Sequence, residues 1–390
     1  MSSAPNGTKT RREGIPLGRI AGIPIILAYS WFIIAAFTVL VFGPQLGSVY
    51  RGLGNWSYVV AFVYALLLLF SVLVHELAHA LAAKVYKWPT EKIVLNLWGG
   101  HTQFENFTAT PGRSLVVAFA GPVANFVLAG AAWVLLLAAP EPSTMEAAVL
   151  TTLANIFVWA NFLIGAFNIL PGLPLDGGRL VETIVWKVTG SQEKGTVAAG
   201  WAGRVVVVLL VVAGIGLPLV QGSEPSTTTI LLTLFIAGFL WLGASAAITN
   251  ARMRLRLPAI SAGALASPAI GVPAASTVAS LWTLRASHPV EVLVLCSPEG
   301  RPVAVVDEQV LASVPPAAAT TTPATAVARN LAPGAYVPQS AAGTELVQYL
   351  AQLGGGEYVV IDLRGQVTGI LSQEVVVAAI TGRPDPRKPR

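Results

Sequence analysis

His75, Glu76 and His79 fall in SVLVHELAHALAA, an HExxH motif near the end of an apolar run long enough to cross a bilayer. On an α-helix, residues i and i+4 share a face, so both imidazoles can turn toward one metal ion while Glu76 stands beside it. Zinc bound in this way lowers the pKa of its water toward ~7, and a neighbouring carboxylate can take the proton as that water attacks a carbonyl. The chemistry implied is peptide hydrolysis within a membrane. The competing reading is a metal-free cluster of polar side chains bonded between helices. Against it, three ionisable groups within five residues of a membrane helix are costly, and by default such groups mark a functional site.

Two histidines leave a catalytic zinc one protein ligand short, because such sites usually supply three and keep a fourth position open. The chain has four Asp, of which only Asp176 lies in the membrane half, in NILPGLPLDGGRL. Pro171, Gly172, Pro174, Gly177 and Gly178 cannot continue a regular helix, and broken backbone at membrane depth is tolerated where it lines a wet cavity. Asp176 is therefore the candidate third ligand. The alternative is that it caps a helix beginning near Gly177.

The elements that must hold these residues are membrane spans. The chain is 54% hydrophobic and 11% charged, far more apolar than an ordinary soluble protein. Apolar runs at 21–43, 58–83, 114–140, 146–170, 205–220 and 228–249 predict six spans, the fifth short because Arg204 interrupts it. Lys9, Arg11, Arg12 and Arg19 precede the first run, and no small-residue cleavage site follows a short apolar core, so it reads as a retained span. Lys84, Lys87, Lys92, Arg113, Arg179, Lys187, Lys194, Arg252, Arg254 and Arg256 all fall on the side of the N-terminus, while the opposite loops hold little beyond Arg51. The positive-inside rule then makes both termini cytoplasmic in a cell (plasma) membrane, with the metal roughly 8 Å inside the cytoplasmic boundary. The net charge of +5 is mostly topology, and without a basic patch interleaved with aromatics nothing points to nucleic acid. A lone cysteine, Cys296, excludes an internal disulfide framework.

HELAH in a membrane helix, followed by NxxPxxPLDGG at the end of a later one, resembles the site-2 protease family of intramembrane zinc metalloproteases over about residues 15–250. The resemblance implies one Zn2+ per chain on His75, His79 and Asp176, with Glu76 as general base. It places Asn168, eight residues before Asp176, at the scissile carbonyl or its oxyanion; an interhelical hydrogen bond is the alternative role. LWGGHTQFEN, residues 97–106, is similar to the family's Gly-Gly hairpin, in which Gly99 and Gly100 would offer a strand edge to an unwound substrate. His101 departs from the small apolar residue expected there, and reads either as an interfacial polar residue or as a gate touching the metal. AGPVANF resembles the third-span motif, with Gly121 in close helix packing and Asn125 lining the substrate cleft. The substrate implied is a transmembrane regulatory protein, such as a membrane-bound anti-sigma factor.

After Arg256 the pattern changes. Residues 290–314 and 357–380 echo each other as strand, Gly turn, strand and helix start. They resemble a tandem CBS pair, which implies an α+β domain with a cleft for an adenine nucleotide. Ser372 and Glu374 stand where ribose and phosphate contacts are expected, whereas Asp307 and Gln309 occupy the first repeat and Asp307 would repel phosphate. Homodimerisation or protein docking is the competing role. The predicted organisation is a cytoplasmic segment at 1–20, a membrane metalloprotease domain at 21–250, the CBS-like pair at 257–380 and a disordered tail at 381–390. The fold class is thus a multi-pass α-helical membrane protein of about six spans with a cytoplasmic α+β CBS pair. The readings that compete with an intramembrane endopeptidase are a catalytically silent client-binding receptor and a CBS-regulated transporter.

Overall fold

A computed structural model describes residues 14–97, 99–104 and 110–387. Trp98, Glu105 and Asn106 of the Gly-Gly segment, the basic residues Lys9, Arg11 and Arg12, and the last three tail residues lie outside the described residues. The chain forms two compact units, 1–248 and 249–390.

The first unit opens with two strands, β1 (Gly14–Ile20) and β2 (Ile23–Ala28), before α1 (Trp31–Val49). The first span therefore starts at Trp31 rather than residue 21. The apolar run had hidden a strand: Ile23, Ile25 and Leu27 alternate inward onto Trp31, Ala35 and Ala65, and Ala21 and Gly22 turn the chain with positive φ. A short apolar run does not by itself distinguish strand from helix. Next come α2 (Trp56–Val85), β3 (Thr90–Asn96), β4 (Gly99–Phe104), α3 (Pro111–Ala138), α4 (Met145–Ile169) and α5 (Gly178–Thr189). Strand order is β1-β2-β3-β4, with β2 and β3 parallel and β4 at an edge.

The helix α6 (Gln192–Val211) passes through a π turn into α7 (Leu217–Val220), and α8 (Thr227–Arg256) closes the unit. Among the described residues, six helices are long and apolar enough to cross a membrane, giving a multi-pass membrane protein. The fifth is longer than its apolar run because Arg204 does not interrupt it. The Arg204 guanidinium lies 4.6 Å from the Trp201 ring and 4.8 Å from the Trp241 ring, and it donates to Ser245 Oγ at 3.1 Å. Aromatic stacking and one hydrogen bond thus join α6 to α8 through a charge that would otherwise be costly there.

The second unit holds α9 (Ala262–Leu265), β5 (Ser267–Pro273), α10 (Val278–Ser287), β6 (Val292–Cys296), β7 (Pro302–Val306), α11 (Glu308–Ser313) and β8 (Ala328–Asn330). It continues with β9 (Tyr336–Pro338), α12 (Gly343–Gln352), β10 (Glu357–Ile361), β11 (Val367–Ser372) and α13 (Gln373–Thr381). The expected tandem appears as two strand-helix-strand-strand-helix repeats, β5 to α11 and β9 to α13. Each has its own apolar core, one around Leu281, Leu293 and Leu295 and the other around Leu346, Tyr358 and Leu371. An antiparallel β5–β11 pairing joins them into one seven-stranded sheet. The predicted tail differs. Thr381 ends α13, and Arg387 pairs with Asp385 at 2.7 Å and donates to Leu265 O and Ser267 Oγ, each at 2.9 Å. Those bonds satisfy a guanidinium that composition alone assigned to a disordered segment.

Candidate metal centre

The helix α2 buries one stripe at helical spacing, including Ala61, Ala65, Ser71, His75, Glu76, His79 and Ala83. The HExxH residues lie on that stripe, at 6%, 7% and 8% exposure respectively. Asp176 reaches them from the loop between α4 and α5. That loop is fixed by backbone bonds: Gly177 N donates to Asn168 O, Leu173 N to Ala199 O, and Leu175 N to Gly172 O. Gly203 of α6 lets the loop approach, since any Cβ there would strike Leu173 O.

Three donor atoms converge. Asp176 Oδ2 is 3.0 Å from His75 Nε2 and 3.3 Å from His79 Nε2, and the two Nε2 atoms are 3.0 Å apart. Ligands about 2.0 Å from a zinc ion at tetrahedral angles stand about 3.3 Å from one another, so the spacing suits that metal. The Nδ1 atoms face away from the centre: His79 Nδ1 donates to Val117 O at 2.7 Å, and His75 Nδ1 meets Asn125 Oδ1 at 2.5 Å. A proton on each Nδ1 leaves both Nε2 lone pairs aimed into the same small space, which a cation resolves. Gly121 of α3 keeps that space open, because a Cβ there would collide with both Nε2 atoms. These residues therefore fit a resident zinc.

Glu76 does not join the three. Its Oε2 accepts from the Thr102 hydroxyl at 2.8 Å, and Gly100 packs so closely on its side chain that a Cβ would clash. A cavity of about 700 Å³ opens beside it, lined by His75, Glu76, Gly99, Gly100, Asn168 and Asp176, with Phe167, Phe239 and Leu240 among its apolar walls.

The candidate residues do not all stand where sequence reasoning put them. Gly177, with no side-chain cap, is the N-cap of α5, so Asp176 turns to the histidines instead of capping. Asn168 lines the cavity but bonds within its own helix, Nδ2 to Ile164 O at 3.0 Å, and not across to another. Asn125, expected in the substrate cleft, is 0% exposed and holds His75 instead; a side chain enclosed by α2, α3 and α4 has no face left for substrate. His101 lines the cavity mouth, its ring nitrogens near the Asn96 and Gln103 amides at 3.2 and 3.1 Å, and stands apart from the three converging ligands. Thr102 and Asn161 had not been singled out. For Thr102 a signal existed: two residues from Gly100 on a strand, it shares that glycine's face.

In the second unit, Ser372 and Glu374 line a cleft of about 910 Å³ with Arg329, Glu357 and Arg383. The Ser372 hydroxyl accepts from Glu374 N and so caps α13. Asp307 likewise caps α11 by accepting from Gln309 N and Val310 N.

The profile of peptidase family M50 matches residues 63–154 and 141–213. A Synechocystis protein whose name proposes a zinc metalloprotease is 33% identical over 204 residues, 52% of each chain. Rip3 of Mycobacterium tuberculosis, named in the same terms, is 35% identical over 212 residues, again 52% of each. The chain thus spans about half the length of these relatives. Among solved structures, the site-2 protease from Methanocaldococcus jannaschii aligns with 60% of this chain and 94% of its own at 25% identity and a TM-score of 0.41. The CBS domain of a bacterial CNNM/CorC family Mg2+ transporter aligns with 39% of this chain and 94% of its own, at 18% identity and a TM-score of 0.27.

Proposed function

We propose that the membrane half belongs to peptidase family M50, the site-2 protease family, and that the chain is a zinc-dependent intramembrane endopeptidase. It cuts a transmembrane segment of a membrane-anchored regulatory protein near the cytoplasmic face. The observation that carries this reading is the convergence of His75 Nε2, His79 Nε2 and Asp176 Oδ2 within 3.3 Å of one another.

Those three residues would hold one zinc ion, which supplies Lewis acidity and an acidified water. Glu76 takes a proton from the attacking water and delivers it to the leaving amine, while Thr102 fixes one of its oxygens. Asn168 keeps one amide N–H on Ile164 O and has a second to donate to the developing oxyanion. The β4 edge at Gly99 and Gly100 accepts the substrate as an added strand, offsetting the backbone hydrogen bonds lost when its helix unwinds.

The placement of basic residues supports cytoplasmic termini in a plasma membrane, with 21–250 as the protease domain and 257–380 as the paired domain. A membrane-bound anti-sigma factor fits the substrate class. Apart from Arg204, which is held between α6 and α8 by two rings and Ser245, the ionisable groups of the spans gather at one site instead of along a pathway, which disfavours a transporter. A Glu76 held by Thr102 disfavours a silent receptor. For the paired domain, dimerisation or protein docking is favoured over adenine nucleotide binding, because the Ser372 hydroxyl already caps α13 and Arg329 is already paired with Glu357. Calorimetric titration with ATP and AMP decides that point, and binding heat with either would reinstate the nucleotide. The test of the main reading compares membrane peptides in cells carrying the unaltered protein and Glu76→Ala. One or more transmembrane substrates should accumulate uncut with the variant, and identical peptide sets would refute the protease.

A further inference from the structure

Below the metal centre a chain of buried amides runs through the membrane domain. Asn161 of α4 is 0% exposed, as are Asn125 of α3 and Ser71 of α2. Asn161 Nδ2 donates to Phe157 O at 2.9 Å and to Ser71 Oγ at 3.0 Å, and Ser71 Oγ donates in turn to Leu67 O at 2.9 Å. Asn125 Nδ2 donates to Asn161 Oδ1 at 2.9 Å, and Asn125 Oδ1 faces His75 Nδ1.

The direction of this chain is fixed from its far end. A backbone carbonyl only accepts, so the Asn161 group beside Phe157 O is its NH2, and its oxygen must face Asn125. Asn125 then has to present NH2 to Asn161 and oxygen to His75, which puts the His75 proton on Nδ1 and leaves Nε2 bare. Only in that tautomer does His75 offer a lone pair beside His79 and Asp176. The wrong amide orientation at position 125 would set two N–H donors or two acceptors against each other between fully buried side chains.

We propose that Asn161 is a positioning residue for the metal centre: acting through Asn125, it selects the imidazole tautomer of His75 that binds zinc. The proposal rests on the zinc reading above and extends it by one residue that touches neither metal nor cavity. What position 161 must supply is an acceptor toward Asn125 and a donor toward Phe157 O. A neutral aspartic acid supplies both, whereas leucine, of similar size, supplies neither. A residue needed only for packing would give the opposite ranking, since a buried ionisable group is worse for a membrane helix interior than an apolar one.

The experiment is zinc titration against a competing chelator, with the visible spectrum of the Co2+-substituted protein, on full-length detergent-purified protein and its Asn161→Leu and Asn161→Asp variants. Asn161→Leu should weaken zinc binding about 10- to 100-fold and alter the Co2+ spectrum, while Asn161→Asp stays close to the unaltered protein in both. Equal affinities for all three proteins, or loss with aspartate and retention with leucine, overturn the proposal. If the leucine variant fails to fold, the aspartate variant decides alone: a folded Asn161→Asp protein that has lost zinc overturns it, and one that keeps zinc and the spectrum supports it. Should the unaltered protein itself bind no zinc, the metalloprotease reading fails, a result distinct from any ranking of the variants.

Discussion

The two units bury opposite things. Every buried polar or charged side chain among the described residues, from Thr38 and Ser57 through His75, Glu76, His79, Asn125 and Asn161 to Thr233, belongs to the membrane unit. In the paired domain the buried side chains are apolar, with Leu281, Leu293, Leu346, Tyr358 and Leu371 at the centres of its two cores. A domain folding in water gains by hiding apolar surface and leaves its polar groups at the rim, where Asp307 and Ser372 merely cap helices. A domain whose exterior faces hydrocarbon gains little from that, so its interior can be used for bonded polar groups, each of which needs a partner. Chemistry is thereby concentrated in the first unit, where the buried polar side chains gather.

The sharpest way to break this contrast is to remove a converging ligand. His79→Ala and Asp176→Ala should each drop zinc from about one ion per chain to near none and abolish cleavage, as read by metal analysis and a helix-cleavage assay. Gly121→Val should do much the same without touching a ligand, because its side chain would occupy the space between the two Nε2 atoms. Normal zinc content in that variant would mean that the ion sits elsewhere. Glu76→Gln separates binding from chemistry: zinc stays, and turnover falls about 10²- to 10⁴-fold. Thr102→Val, which removes the hydroxyl from Glu76 Oε2, should cost on the order of tenfold in turnover with zinc unchanged. At the small end, Ser372→Ala removes the α13 cap and should destabilise the paired domain by about 1 kcal/mol in a melting experiment, leaving zinc affinity where it was.

How much of this was legible in the sequence follows the same divide. His75, Glu76 and His79 announce themselves because helical spacing alone brings i and i+4 together. Asp176 is legible because it is the lone Asp of the membrane half and stands where Pro and Gly break a span. Asn161 was not, since an asparagine within a helix carries no sign of which neighbouring helix it faces until α2, α3 and α4 are packed. The N-terminal strands were missed for a related reason: residues 21–28 are as apolar as a span, and only the pairing of β2 with β1 and with Ile93, Val94 and Leu95 of β3 makes them a sheet. The repeats of the second unit were readable from alternating apolar residues and Gly turns, yet the anchoring of Arg387 on Leu265 and Ser267 lay in a distant contact.

The claim on which the rest depends is that residues 75, 79 and 176 share one cation. X-ray absorption at the zinc edge on purified protein tests it most directly. The account predicts one zinc per chain with two imidazole nitrogens and carboxylate oxygen at about 2.0–2.2 Å, and loss of that signal in Asp176→Ala. A zinc shell without imidazole, or one unchanged when Asp176 is removed, would contradict it.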